Sequence, residues 1–230
     1  MAGKKKKSSY PKELWFYFDY ISPYSYLAWR KIKFICEDFN LVLKAEPILF
    51  GAVLSHWKTL GPAEIAPKRE FVMKDILRSA HRDNMIVQFP PAHPFNPLLP
   101  LRATCAMQEH PEYHRFITHL YSACWQEGND ITNPEIIDRI SRVYKVEDIL
   151  ERANSPEIKQ MLKEKTDKAL ENNIFGVPSF RIGDELFWGN DRIDFLINYL
   201  NGDDPVDPDY IEKLKQLPIG ITRNIPSPTV

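Results

Sequence analysis

Ser22-Pro23, Val177-Pro178 and Asn190-Asp191 are the residue pairs whose types and places could do chemistry. Ser22-Pro23 follows an apolar, aromatic run at 14–18 and opens a helical pattern, so it sits where a strand's carboxyl end meets a helix's amino end. Ligands of α/β sheets bind at such joints. The first amide N–H groups of a helix lack internal partners, and the helix dipole favours negative charge there. A thiol delivered to that spot would lose its proton more easily than free cysteine, whose pKa is about 8.5. Ser22 would add a hydroxyl hydrogen bond to the resulting thiolate. Read alone, Ser22-Pro23 is an ordinary helix cap.

Val177-Pro178 opens a later strand. A proline there cannot donate to the ladder, and a cis bond would turn the N–H and C=O of Val177 toward the first helix. An extended peptide could then pair with Val177 as an added strand. Asn190-Asp191 opens the last helix, where N–H groups would receive a carboxylate and Asp191 could hold an ammonium. The plain alternatives are an edge-strand proline and a simple cap. A carboxylate, an ammonium, an extended backbone and a thiol, in that order, describe glutathione.

The elements that must position these residues come from both ends of the 230-residue chain. Residues 14–18 suit a strand buried on both faces, the helix from Pro23 ends at Asn40, and 41–46 reads as a second strand parallel to the first. After 172, strands at 178–182 and 185–187 flank the turn Gly183-Asp184, and a helix spans 190–200 with Ile193, Leu196, Ile197 and Leu200 inward. Between them, 51–172 is largely helical. Its clearest members are 111–127, with Pro111 in the first turn, and 155–170, capped by Ser155. The proline-rich run 88–100 is expected to cross the surface extended. The economical architecture is one sheet built from both ends with an inserted helical domain.

The charges nearly balance, 30 basic against 31 acidic residues, so no nucleic-acid partner is implied. Three cysteines, Cys36, Cys105 and Cys124, show no C-x-x-C spacing; they read as core filler in a reducing compartment. The lysine-rich start reads as a solvated tail, and no run approaches the ~20 apolar residues that span a bilayer, so no membrane partner is expected. His110, His114 and His119 lie close in sequence but fit no metal motif, and read as solvent-facing. The five tryptophans read as packing, and Asp19 as a strand-end carboxylate accepting backbone N–H bonds rather than a proton relay under Ser22. The end from Gly202 is expected to drape over the surface.

The segments FDYISPYSYLA (18–28), GPAEIAPKR (61–69), FPPAHPFNP (89–97) and FGVPSFRIGDELFWGNDR (175–192) resemble the 2-hydroxychromene-2-carboxylate isomerase family. That family is kin to the kappa-class glutathione transferases and, more distantly, to bacterial disulfide oxidoreductases. The resemblance implies an α/β, thioredoxin-like sheet with an inserted all-helical domain. The thioredoxin-like part is 12–50 plus 172–201, the insert 51–171, with a basic tail at 1–11 and an extension at 202–230. It further implies glutathione as cofactor, a small aromatic or electrophilic substrate, cytoplasmic location and a homodimer.

By the same resemblance Ser22 acts on the glutathione thiol, Tyr24 and Val177 lie along the tripeptide, and Asn190 and Asp191 hold its γ-glutamyl end. The thiolate would add to a conjugated carbon of an aromatic keto acid, the bond would rotate, and thiolate loss would give the trans product. Where oxidoreductases carry C-x-x-C this chain has Ser22-Pro23-Tyr24-Ser25, so the sulfur must come from outside. Where many family members place an asparagine, this chain reads LSHWKTLGPAEI, so His56, Trp57 or Lys58 would substitute. Arg192, Lys68, Arg69 and Arg102 are the candidate cations for a substrate carboxylate. Isomerase is the first expectation and glutathione transferase the second. The third is a catalytically silent module that binds a partner through the Val177 edge.

Overall fold

A computed structural model describes residues 12–221. Its sheet has the order β2-β1-β3-β4. β1 (Glu13–Phe18) is central and runs parallel to β2 (Val42–Pro47), joined to it by α1 (Pro23–Asp38). On its other side β1 pairs antiparallel with β3 (Ser179–Ile182), which turns through Gly183-Asp184 into β4 (Glu185–Trp188). Gly183 has φ +60°, the left-handed value this tight turn requires. The sheet is thus assembled from the two ends of the chain, as the sequence pattern predicts.

Between β2 and β3 come α2 (Phe50–His56), α3 (Ala66–Arg82), α4 (Leu98–Ala106), α5 (Tyr113–Tyr121), α6 (Pro134–Val143), α7 (Ile149–Asn154) and α8 (Pro156–Glu171). α9 (Ile193–Asn201) and α10 (Pro208–Leu214) follow the sheet. Capping explains several of the starts. Ser22, Asn133 and Ser155 each accept a hydrogen bond from a first-turn N–H, and each is followed by proline. Asn40, at φ +53°, ends the turn after α1.

One core runs through sheet and helices. Leu14, Phe16 and Phe18 face α1 and meet Trp29, Tyr121 and Leu120 with no exposure. The Tyr121 ring is the hub, with Phe18, Tyr20, Tyr26 and Trp29 at centroid distances of 5.8, 4.7, 6.1 and 6.3 Å. Aromatic pairs at such spacing add about 0.5–1.5 kcal/mol beyond the area they bury. Trp15 and Tyr17, the alternate residues of β1, face the other side with Ile174 and Val177.

Several sequence expectations need correction. The helix placed at 111–127 is α-helical only from Tyr113 to Tyr121 and continues as a π-helix, Ser122–Gln126; Pro111 precedes its cap, Glu112. The last helix begins with a 3-10 turn, Asn190–Arg192. The proline-rich run stops being extended at Leu98, where α4 starts. The three histidines are half-buried rather than solvent-facing. His114 packs edge-on to Trp29, His119 bonds the Tyr144 hydroxyl at 3.2 Å, and His110 Nδ1 accepts from the Glu112 N–H. Apolar neighbours supply more burial than a polar side chain predicts. Trp29 and Trp125 are core, but Trp57 and Trp188 are exposed. The C-terminal extension carries α10, capped by Asp207, and each residue of that helix is exposed. The lysine-rich start at 1–11 lies outside the described residues.

Candidate active site

The turn from β1 into α1, Asp19-Tyr20-Ile21-Ser22, has each of its first three carbonyls occupied. Asp19 O accepts from the Ser22 N–H at 3.1 Å, Tyr20 O from the Trp125 indole at 2.8 Å, and Ile21 O from His93 Nε2 at 3.0 Å. The Asp19 carboxylate accepts from the N–H of Ile21 at 3.1 Å and of Phe50 at 2.9 Å. Asp19 therefore ties this turn to the start of α2, the backbone-accepting role expected of it. It is fully buried, and burial pushes its pKa up to about 7 against the pull of those N–H bonds.

Ser22 leaves this clamped turn as the cap of α1. Its Oγ accepts from the Ser25 N–H at 3.2 Å and donates to the Val177 carbonyl at 3.5 Å, a long contact. Pro23 has no N–H, so Tyr24 carries the first free amide of α1 among the described residues. The Tyr24 phenol donates to Asp75 of α3 at 2.7 Å. Burial, then Asp75, raises its pKa, and Asp191 is near enough to add to the shift.

Opposite Ser22, Val177-Pro178 is cis. The Pro178 carbonyl accepts from the Gly189 N–H at 2.9 Å, which seats the Asn190–Arg192 turn beside β3 and against α1. Gly189 has φ +105°, and a Cβ there would lie 2.5 Å from the Asp191 carboxylate, so only glycine fits. Asn190 is 4% exposed, and its Oδ1 is buried with no partner, which normally costs about 1–3 kcal/mol. Exposed Asp191 is paired with Arg192 at 2.7 Å.

Ser22, Tyr24, Val177, Asn190 and Asp191 thus gather at one end of α1. His56 and Trp57 do not join them directly. His56 is exposed and edge-on to Trp57, whose indole donates to the Ile174 carbonyl at 3.0 Å and so braces the segment leading to Val177. Of the candidate cations, Arg192 is taken by Asp191 and lies over Phe195, and Lys68 is exposed. Arg69 donates to the His93 carbonyl at 2.9 Å and borders a cavity of about 510 Å³ with Ala63, Glu64 and Met73. Arg102, on α4, has a buried, unpartnered Nε.

His93 and Trp125 hold the site but carry little signal in the sequence. A carbonyl can only accept, so His93 Nε2 bears a proton. Burial disfavours the charged ring and lowers its pKa, and Nδ1 is buried without a partner. Phe89 and Trp125 meet the ring edge-on. The motif FPPAHPFNP marks the segment, but nothing in it shows which residue turns inward.

The chain's own sulfurs do not serve this site. Cys36, Cys105 and Cys124 are buried and free. Burial pushes the first two thiols up to about 12 and the third well above its usual value. Among the described residues no group of three or more His, Cys, Asp or Glu could hold a metal ion, and no helix is long and apolar enough to cross a membrane.

A four-stranded sheet presenting a serine-capped helix end across from a cis-proline loop is the arrangement of a thioredoxin-like domain. The chain belongs to the DSBA-like thioredoxin domain family, whose model matches residues 13–201. It is 28% identical over 193 residues to a 2-hydroxychromene-2-carboxylate isomerase of Sphingobium xenophagum, covering 82% of this chain and 98% of that one. It is 26% identical over 210 residues to glutathione S-transferase kappa 2 of Caenorhabditis elegans, covering 80% and 90%. Among solved structures, a 2-hydroxychromene-2-carboxylate isomerase superposes with a TM-score of 0.77 at 23% identity, covering 83% of this chain and 95% of that one. The two sequence likenesses support an isomerase-like or transferase-like function at the level of the family, and the structural one shows the fold.

Proposed function

We propose that this protein is a glutathione-dependent isomerase of 2-hydroxychromene-2-carboxylate-type aromatic compounds, with Ser22 as the residue that acts on the thiol. The observation that carries the reading is the Ser22 hydroxyl at the open end of α1, facing Val177 in a site that lacks any sulfur of its own. Glutathione, when bound, supplies a thiolate able to add reversibly to a conjugated double bond and free it to rotate.

The residues present fit that group. Ser22 Oγ would donate a hydrogen bond to the sulfur, and the Tyr24 amide and the α1 dipole would favour its ionised form. The backbone of Val177 would pair with the extended peptide. The orphaned Asn190 Oδ1 would accept from the γ-glutamyl ammonium, which would answer its missing partner. Asp191 adds charge there once Arg192 releases it. Arg69, which bonds the His93 carbonyl and so is tied to the Ser22 turn, is the candidate cation for a substrate carboxylate.

The kappa-class relative favours a second reading on the same site: a transferase that forms the conjugate and releases it. Parallel assays with a hydroxychromene carboxylate and with a chlorodinitrobenzene-type electrophile separate the two. Turnover of the first without net consumption of glutathione supports the isomerase; consumption with the second alone supports the transferase. Failure of glutathione to bind, measured by calorimetry, sinks both and leaves the silent binding module.

A further inference from the structure

The sheet face turned away from α1 carries a cleft that shares no lining residue with the Ser22 site. Across β2, β1 and β3 the register sets Lys44, Trp15 and Arg181 in one row and Glu46 and Tyr17 in the next, so Trp15 lies between two cations. Helix α8 closes the side with Lys165, Lys168 and Asn172, leaving a cleft of about 180 Å³. Its floor is aromatic: the Trp15 and Tyr17 ring planes lie 20° apart with centroids at 6.5 Å, and Trp15 is half-buried rather than sealed in the core. The Tyr17 hydroxyl is held by Asn172 Nδ2 at 3.3 Å.

The charges of the lining do not cancel. Glu46 is its one carboxylate, and Lys165 takes it at 2.7 Å in a largely buried pair. Arg181 and Lys168 remain. Arg181 meets the fully exposed Asp184 only at 3.8 Å, and Lys168 meets Glu171 in an exposed surface pair, a kind worth little. Arg181, the register neighbour of Trp15, lines the cleft, and it opposes the rise that burial gives the pKa of the Tyr17 hydroxyl. Two cations whose only partners are exposed carboxylates, beside a ring-faced floor, suit a flat anion, and the volume, well below the ~300 Å³ of drug-sized pockets, limits it to one ring.

We infer that this cleft binds a one-ring aromatic carboxylate, with its ring against Trp15 and its carboxylate on Arg181 and Lys168. The cleft lies on the opposite face of the sheet from the core that packs under Ser22, and the inference does not depend on glutathione binding.

Calorimetric titration of the whole protein with benzoate, and separately with inorganic phosphate, tests it. Saturable benzoate binding is expected, weakened tenfold or more in Arg181→Ala, severalfold in Lys168→Ala, and unchanged in Ser22→Ala. Lys168 is an exposed residue of α8, so its variant keeps the test readable if Arg181→Ala folds poorly. Absence of saturable binding overturns the inference, as does equal affinity in the Lys168 variant. Phosphate binding as tight as benzoate binding would also overturn it, because the aromatic floor would then contribute nothing.

Discussion

The Ser22 hydroxyl lies 3.5 Å from the Val177 carbonyl, joining two positions 155 residues apart. The same oxygen accepts from the Ser25 N–H, so its proton is directed across the cleft while its lone pair serves the helix. At that length the contact to Val177 is weak, and a bound thiolate can take over the proton without disturbing the cap.

Ser22→Ala removes both roles. Loss of the cap costs about 1 kcal/mol of stability, measurable by urea unfolding. Loss of the donor lowers turnover about a hundredfold while glutathione affinity holds within a few fold. Unchanged turnover would show that the hydroxyl only caps.

His93→Ala strips the Ile21 carbonyl of its donor and empties the space between Phe89 and Trp125. The expected destabilisation is about 1–3 kcal/mol, accompanied by reduced activity because the turn carrying Ser22 is loosened. His93→Gln, which keeps an N–H donor, recovers part of both. If His93→Ala unfolds at the wild-type urea midpoint, the bond to Ile21 contributes nothing to the clamp.

Asp19 gives stability a pH dependence of defined sign. Its carboxyl ionises near about 3.9 in the unfolded chain, and at about 7 when folded. Between those values the folded protein holds a proton the unfolded chain has lost. The contribution is therefore full below about pH 4 and is lost as pH rises through about 7, a swing of about 4 kcal/mol at most. Asp19→Asn cannot titrate, so wild-type stability measured against this variant should decline from pH 4 to pH 8. A difference that stays level across that range contradicts a buried, raised carboxyl.

Gly176 tests the wall of the site. A Cβ there would stand 2.3 Å from the Trp188 indole nitrogen, and Trp188 is held edge-on to Phe175 at 5.1 Å. Gly176→Ala should cost about 1–3 kcal/mol and raise the KM for glutathione by moving the loop before Val177. A variant with wild-type melting temperature would mean that Trp188 swings freely aside.

The βαβ unit, the Gly183-Asp184 hairpin and the Ser22 cap are legible in the sequence because each is a local pattern: apolar periodicity, a turn dipeptide, a serine before proline. What supports Ser22 is not local. Trp125 reaches Tyr20 O across 105 residues from a π-helical turn that an α-helical period cannot foresee. His93 reaches Ile21 O across 72 residues from a proline-rich run whose composition predicts only irregular backbone. Tyr24 Oη reaches Asp75 across 51 residues, a tertiary bond with no local signature. Arg192 reads either as a candidate cation for a carboxylate or as an ion-pair residue, and it is paired with its own neighbour Asp191.

The central claim is that this cleft takes up an external thiol and makes it acidic. Ultraviolet titration of thiolate absorbance, with glutathione bound to wild type and to Ser22→Ala, tests it most directly. The account predicts that bound glutathione ionises at least one pH unit below the free tripeptide in wild type, and that Ser22→Ala loses most of that shift. A bound thiol that titrates like the free one, or a shift that survives removal of the Ser22 hydroxyl intact, would contradict it.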